Sequence, residues 1–225
     1  MPTLNANRVG EGDGVGSSSF STARTGNAGS VADNPSGNDQ FAIQHFFSSG
    51  RGGGTHKFRR IFIHFDTSSI SVAPSSATLN IRGHSAGNDA DVILLKSTAM
   101  SGDGSTALAA SEFFSSIDYS TPYSAEVTTW NLSANNAITL NSTALSDISS
   151  NDNFTVAVVE YDSDAQNTAT SDSVSAGVDY STTIFIDFTP GVSGYGHKVS
   201  GVASGSIAKV NTVATANIGK INTVD

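Results

Sequence analysis

Side chains able to carry chemistry are sparse in this 225-residue chain, and their spacing argues against catalysis. Five histidines, His45, His56, His64, His84 and His197, form neither the His-Glu-x-x-His pattern of a zinc protease nor an i, i+2 pair on one strand face. The chain has no cysteine, so disulfides, thiolate metal sites and cysteine nucleophiles are excluded. Glutamate occurs only at Glu11, Glu112, Glu126 and Glu160, and no two carboxylates stand out as the pair a glycosidase sets around a sugar. Serine is abundant, yet no Gly-x-Ser-x-Gly elbow sits between a strand and a helix; Gly201–Gly205 does not match it. The expectation is a protein that is not an enzyme, with no catalytic residue and no cofactor.

Two loop clusters offer hard oxygen ligands, Asn88-Asp89-Ala90-Asp91 and Asp162-Ser163-Asp164. Asp89, Asp91, Asp162 and Asp164 are therefore weak candidates for a structural calcium. Neither cluster follows the EF-hand loop, and solvated turns are the expected role, so a chelator should leave the melting temperature unchanged. Four tyrosines are candidates to face a glycan: Tyr119 and Tyr123 flank Pro122, while Tyr161 and Tyr180 border the polar stretch 162–181. Trp130, the sole tryptophan, is expected to pack in the core. His64 shares a strand face with Asp66 and reads as a surface or hydrogen-bonded strand histidine. Arg51, Lys57, Arg59 and Arg60 cluster in sequence and read as a polar loop entering a strand.

The elements that would position these residues are strands. Candidates at Phe41–Phe47, Phe58–Phe65, Ala77–Gly83, Asp91–Ser97, Ser124–Trp130, Ala137–Leu140, Asn153–Tyr161 and Thr182–Phe188 recur with turn-rich spacers. Several alternate cleanly. Ile61, Ile63 and Phe65 fall on one face, and Arg60, Phe62, His64 and Asp66 on the other. Two short helices are predicted, over Ala107–Ile117 and Ser142–Ser149. Residues 1–40, with GEGDGVGSSS and GSVADNPSGND, read as a Gly/Ser/Asn-rich segment with at most a first strand over Ser19–Thr25. Residues 41–189 form the predicted body. The fold class is all-β: a jelly-roll-like β-sandwich with a loop-rich N-terminal segment and an extended C-terminal arm.

The arm, residues 190–225, carries the most specific pattern in the chain. Lys198, Lys209 and Lys220 recur every 11 residues, as do Val199, Val210 and Ile221, then Val202, Val213 and Val224, and Ile207 with Ile218. A unit this small cannot bury its aliphatic side chains alone, so neighbours or a partner must cover them. Gly, Thr, Val and Asn disfavour a helix and favour an extended arm. The assembly residues expected here are Lys198, Val199, Val202, Ile207, Lys209, Val210, Val213, Ile218, Lys220 and Ile221.

Composition supports the same reading. Hydrophobic residues are 37% and charged residues 14%, both below the usual share of a soluble domain, and Lys and Glu are too scarce for an all-helical fold. The net charge of −9 disfavours nucleic acid, because phosphate contacts need clustered Lys and Arg. With three Lys against one Asp, the arm is mildly basic beside an acidic body and could dock on an acidic neighbour. No apolar run approaches the length of a membrane helix. The opening MPTLNANRVG shows no basic stretch followed by an apolar one, so no signal peptide is expected.

Two resemblances follow from these motifs. Arg59-Arg-Ile-Phe-Ile-His-Phe-Asp-Thr-Ser-Ser-Ile70 followed by Ser76-Ala-Thr-Leu-Asn-Ile-Arg82 resembles the DNRLRE-type β-sandwich, and Glu126-Val-Thr-Thr-Trp130 and Thr183-Ile-Phe-Ile-Asp-Phe188 fit its order. That resemblance implies a jelly roll akin to carbohydrate-binding modules, of the kind carried by surface-exposed or secreted proteins. The Lys-Val-Asn-x-Val repeat is similar to terminal repeats of bacteriophage tail, fibre and particle-surface proteins. Together they imply a virion structural or accessory protein at the particle surface, a homo-oligomer whose partners are other virion proteins and copies of itself. The alternative they imply is a surface module that binds a host or matrix polysaccharide.

Overall fold

A computed structural model describes residues 1–35, 41–51, 53–84 and 90–192, together with the pairs 209–210 and 213–214. The strands and helices, in chain order, are β1 (Thr3–Asn5), β2 (Arg8–Gly14), α1 (Phe20–Thr25), β3 (Ala28–Asp33), β4 (Phe41–Ser48), β5 (Thr55–Asp66), β6 (Ser76–Arg82) and β7 (Val92–Ser97). They continue as α2 (Glu112–Ser115), β8 (Ile117–Pro122), β9 (Asn135–Thr139), α3 (Ser142–Ser150), β10 (Asn153–Glu160), β11 (Val174–Val178), β12 (Phe185–Thr189), β13 (Lys209–Val210) and β14 (Val213–Ala214).

The body is an antiparallel two-sheet sandwich. The smaller sheet has the order β1-β12-β6-β9, and the larger runs β11-β4-β5-β10-β7-β8 with β2 and β3 added. β5 organises the larger sheet. β2 pairs along one edge, and β4 and then β10 share the other, since Arg59 pairs with both Asp13 and Gln44 while Ile61–His64 pair with both β2 and β10. The expected all-β fold class is thus what the chain adopts.

β5 is buried on both faces, and this sets the whole design. Ile61, Ile63 and Phe65 point between the sheets and join Leu79, Ile81, Leu94, Val156 and Ile186 in the inter-sheet core. Phe58 and Phe62 point the other way into a second core with Ala23, Met100, Leu108 and Phe113. An outer layer of α1, α2 and the segment between β7 and α2 covers that face. The alternation read along β5 is correct; its even-numbered face is a second interior rather than solvent.

The outer layer can sit down because β2 presents glycines to it. A Cβ on Gly10 would lie 2.7 Å from Met100 Cε, and one on Gly12 would lie 2.5 Å from Phe113 Cδ2. Residues 8–14 therefore form a strand where the sequence reads as loop. Gly12→Val should destabilise the fold by about 1–3 kcal/mol, the usual cost of overpacking. Urea unfolding checks this, and an unchanged midpoint would mean that Phe113 moves aside freely.

Other corrections concern short elements. Ser19–Thr25, expected as a strand, is helix α1. The Ser19 side chain accepts from Thr22 N, 3.2 Å away, and caps it. The helix predicted over Ala107–Ile117 shrinks to α2. Glu112 reaches back to Ala109 N at 2.8 Å, fixing the start, and the Ser115 and Ser116 hydroxyls bond the carbonyls of Ser111 and Glu112 at 2.7 and 2.6 Å. Ile117 then begins β8. The helix predicted over Ser142–Ser149 forms, capped by Asn141 through Ala144 N, with Ala144 and Ile148 buried one turn apart. Ser124–Trp130 is no strand; it touches the sheets through single bridges at Val92–Val127 and Ser124–Leu140. Residues 1–40 contribute β1, β2, α1 and β3, so the N-terminal segment is built into the body.

Candidate functional site

Two charged clusters flank the second core, one sealed and one open. The sealed one surrounds Arg60, whose side chain is fully buried. Its guanidinium grips Asp164 bidentately, Nε to Oδ2 at 2.6 Å and Nη2 to Oδ1 at 2.8 Å. The remaining donors go to Phe113 O at 2.8 Å and Arg24 O at 2.7 Å. Arg24 Nε donates to the Asp164 carbonyl at 2.7 Å, and the Tyr119 hydroxyl donates to Asp164 Oδ1 at 2.9 Å. Burial disfavours the charge on Arg60, but Asp164 outweighs it, and the guanidinium pKa lies above its ordinary value. Next door, Glu160 accepts from the backbone N–H groups of Asp162, Ser163 and Asp164, which winds the Tyr161–Ala165 turn. Burial still raises the Glu160 carboxyl. With every nitrogen of the Arg60 guanidinium bonded, this cluster rivets the outer layer to the sheet.

The open cluster lies where the outer layer stops, at the C-terminal end of β5. Cross-strand pairing sets Arg8 and Thr155 on either side of His64, and Asn153 opposite Asp66. Three further segments close a cavity of about 390 Å³ over this row: Asn7 and Asn34 near β2, the Asp103-Gly104 turn, and Asp152 before β10. His64 is only 3% exposed. Its Nδ1 lies 2.9 Å from Thr155 Oγ1. Arg8 bridges Asp33 with Nε and Nη2 and donates to Gly104 O at 2.7 Å. Burial lowers the His64 pKa, with Asp103 and Asp66 pulling the other way, so the site favours the neutral ring. The turn over it is strained: Met100 and Ser101 have φ of 60° and 63°, left-handed values that non-glycine residues seldom adopt. Asn34 on the cavity wall has φ of 45°.

The cavity's groups are carboxylates, amides, a serine hydroxyl and the Arg8 guanidinium, grouped around one imidazole. They suit hydrogen bonding to a polar ligand. Sequence reasoning found His64 and Asp66 on one face but missed Asn34, Asp103 and Asp152. No local pattern marks these, since three loops deliver them.

The sequence-predicted site residues are dispersed. Tyr119 is half-buried under the Arg24 guanidinium, 4.3 Å from its ring centroid. Tyr123 is 2% exposed, stacks on Phe154 and donates to Asp147 at 2.5 Å. Tyr161 packs on the second core, and Tyr180 on the inter-sheet core beside Glu11. The four do not form a platform: their rings fill core edges, and the hydroxyls of Tyr119 and Tyr123 cap buried or half-buried carboxylates. Asp164 is likewise committed to Arg60. Asp91 and Asp162 lie near Glu126, whose pKa is raised by desolvation and by Asp91. Asp89 lies outside the described residues. No group of three metal-ligating side chains that could hold an ion occurs among the described residues. Trp130 packs half-buried on the core and donates to Gly177 O at 2.8 Å. Lys57 and Arg59 both pair with Asp13. Of the arm, Lys209–Val210 pairs antiparallel with Val213–Ala214; Lys198, Val199, Val202, Ile207, Ile218, Lys220 and Ile221 lie outside the described residues.

Fold and cluster together define an antiparallel β-sandwich with a second, outer core and an open polar cleft at its rim. In comparisons with known proteins, the chain matches no family model, and no curated protein matches its sequence.

Proposed function

We propose that this chain is a non-enzymatic structural subunit of a particle surface, such as a bacteriophage capsid decoration or a tail- or fibre-associated protein. The sandwich body is displayed, and the C-terminal arm docks on neighbouring virion proteins or further copies of the chain. The observation that carries this reading is the 11-residue recurrence of Lys198, Lys209 and Lys220 with their Val and Ile partners. Repeated small apolar anchors gain affinity by acting together, each supplying little alone. The short antiparallel pair at 209–214 suits an arm that makes β-type contacts.

The test is the solution mass. Light scattering of the full chain should give a defined multimer, and replacing Val199, Val202, Val210 and Val213 by Ser should give a folded monomer. A variant with the mass of the parent would remove the arm's role in assembly.

The cleft over His64 favours a second reading, attachment to a host or matrix polysaccharide. It predicts affinity for sugar that does not depend on the arm.

A further inference from the structure

We propose that the cleft over His64 binds a neutral, hydroxyl-rich ligand of saccharide type. The proposal rests on the polysaccharide reading and gives it a location distinct from the four tyrosines.

The chemistry narrows the ligand by elimination. Asp66, Asp103 and Asp152 ring the cavity with only Arg8 among the described residues to oppose them, so an anionic ligand would meet net repulsion. These carboxylates do not converge on one point; among the described residues no group of three could hold an ion, which disfavours a bound divalent cation. Spread acceptors instead match spread hydroxyls. A volume near 390 Å³ suits a small sugar unit.

The acceptors are fixed in advance. Asp66 Oδ1 takes the Ser68 N–H at 3.0 Å and the Ser68 hydroxyl at 2.6 Å, and Asp103 Oδ1 takes the Ser105 N–H at 2.9 Å. Among the described residues no donor reaches Oδ2 of Asp66. His64 supplies a fixed ring edge that a ligand in the cavity would meet. The ring is nearly all buried and pinned through Nδ1, and Nε2 has no hydrogen-bond partner among the described residues although the residue lines the cavity. Nε2 is thus a solvent-reachable ring nitrogen on the cavity wall, able to hydrogen-bond a ligand hydroxyl. Gly104 keeps this edge of the ring accessible: a Cβ there would fall 2.7 Å from Nε2, and its φ of +70° favours glycine.

The experiment is a titration of the full chain with neutral sugars (glucose, galactose, mannose, N-acetylglucosamine and their disaccharides) beside a uronic-acid sugar. Affinity would be read by calorimetry and the imidazole by ¹H–¹⁵N NMR. A neutral sugar should bind better than the acidic one and shift the His64 Nε2 resonance. Asp66→Asn keeps the acceptor for Ser68, and Asp152→Asn removes a charge from the rim. Each should weaken binding about tenfold or more, as expected for losing a charged acceptor, with an unchanged melting curve. Equal affinity in both variants, or preference for the acidic sugar, would overturn the cleft assignment while leaving polysaccharide attachment standing. Binding of no sugar at all would overturn the cleft and polysaccharide readings together and leave assembly through the arm untouched.

Discussion

Asp164→Ala should cost the protein about 3–5 kcal/mol, because it leaves buried positive charge without its counter-ion. For a chain of this size that corresponds to a fall in melting temperature of roughly 6–20 °C. The loss concentrates on one side chain because of how the network is wired. Arg60 is fully buried and takes two of its four bonds from the Asp164 carboxylate. Removing the carboxylate also strands the Tyr119 hydroxyl. Arg24 suffers less, since its 2.7 Å bond runs to the Asp164 main-chain carbonyl, which alanine retains.

The same wiring predicts partial rescue. Replacing both partners with apolar groups, as in Arg60→Met with Asp164→Leu, removes the uncompensated charge and should recover part of the loss. Recovery stays incomplete because the carbonyls of Phe113 and Arg24 lose their donors. Calorimetric melting of the two single variants and the double variant decides the matter. A drop of under about 2 °C in Asp164→Ala would mean that the outer layer is held by its apolar contacts alone, since that corresponds to no more than about 0.5–1 kcal/mol for this size.

These residues show where the sequence is legible and where it is not. β5 was readable because Ile61, Ile63 and Phe65 alternate with Arg60, Phe62 and His64, and period-2 patterning reports two faces. It does not report what covers each face. An arginine on the face opposite an isoleucine row reads as outward, yet here a third layer lies over it. The clue was Phe62 on the same face as Arg60 and His64. β2 was illegible for a related reason: Gly10, Gly12 and Gly14 look like loop composition, but in register they form a smooth strip on which Met100, Leu108 and Phe113 rest. Helix α1 was masked by Ser and Thr, which favour strands and caps alike. The cleft was half-visible. His64 and Asp66 share a strand face in any reading, whereas Asp103 and Asp152 reach them only through the tertiary fold.

The second large effect is acid lability above the carboxylate range, centred on His45. This residue of β4 is fully buried and pairs with Phe58 of β5. Its Nε2 lies 3.1 Å from His56 Nδ1, its ring stacks on Phe58, and Phe20 of α1 meets both imidazoles edge-on. Burial first, and the charge of His56 second, push the His45 pKa down to about 4, against partial support from Asp164 and Asp172. Burial lowers His56 as well. A histidine whose folded pKa is depressed binds its proton more readily when unfolded. Its contribution is therefore complete above about pH 6.5, the unfolded value. It is lost as the pH falls toward 4, and by that point the loss amounts to about 2–3 kcal/mol. Glu160 acts in the opposite sense, because a raised carboxyl favours the folded state as the pH drops. The carboxylates held low by hydroxyl and N–H donors, Asp66, Asp103 and Asp179, give way only at lower pH. The interval from 6.5 to 4 thus belongs largely to the lowered histidines, His45 with His56 and His64. His45→Phe keeps the aromatic packing and removes this titration, so its stability curve should fall less steeply across that interval than the parent's, the remaining slope coming from His56 and His64. Both proteins share every other group, so the difference between the curves isolates His45. Parallel curves would show that the buried pair carries no linkage. Divergent ones, with Phe20 resonances broadening first, would show that acid unlatches α1 and the outer layer ahead of the sandwich.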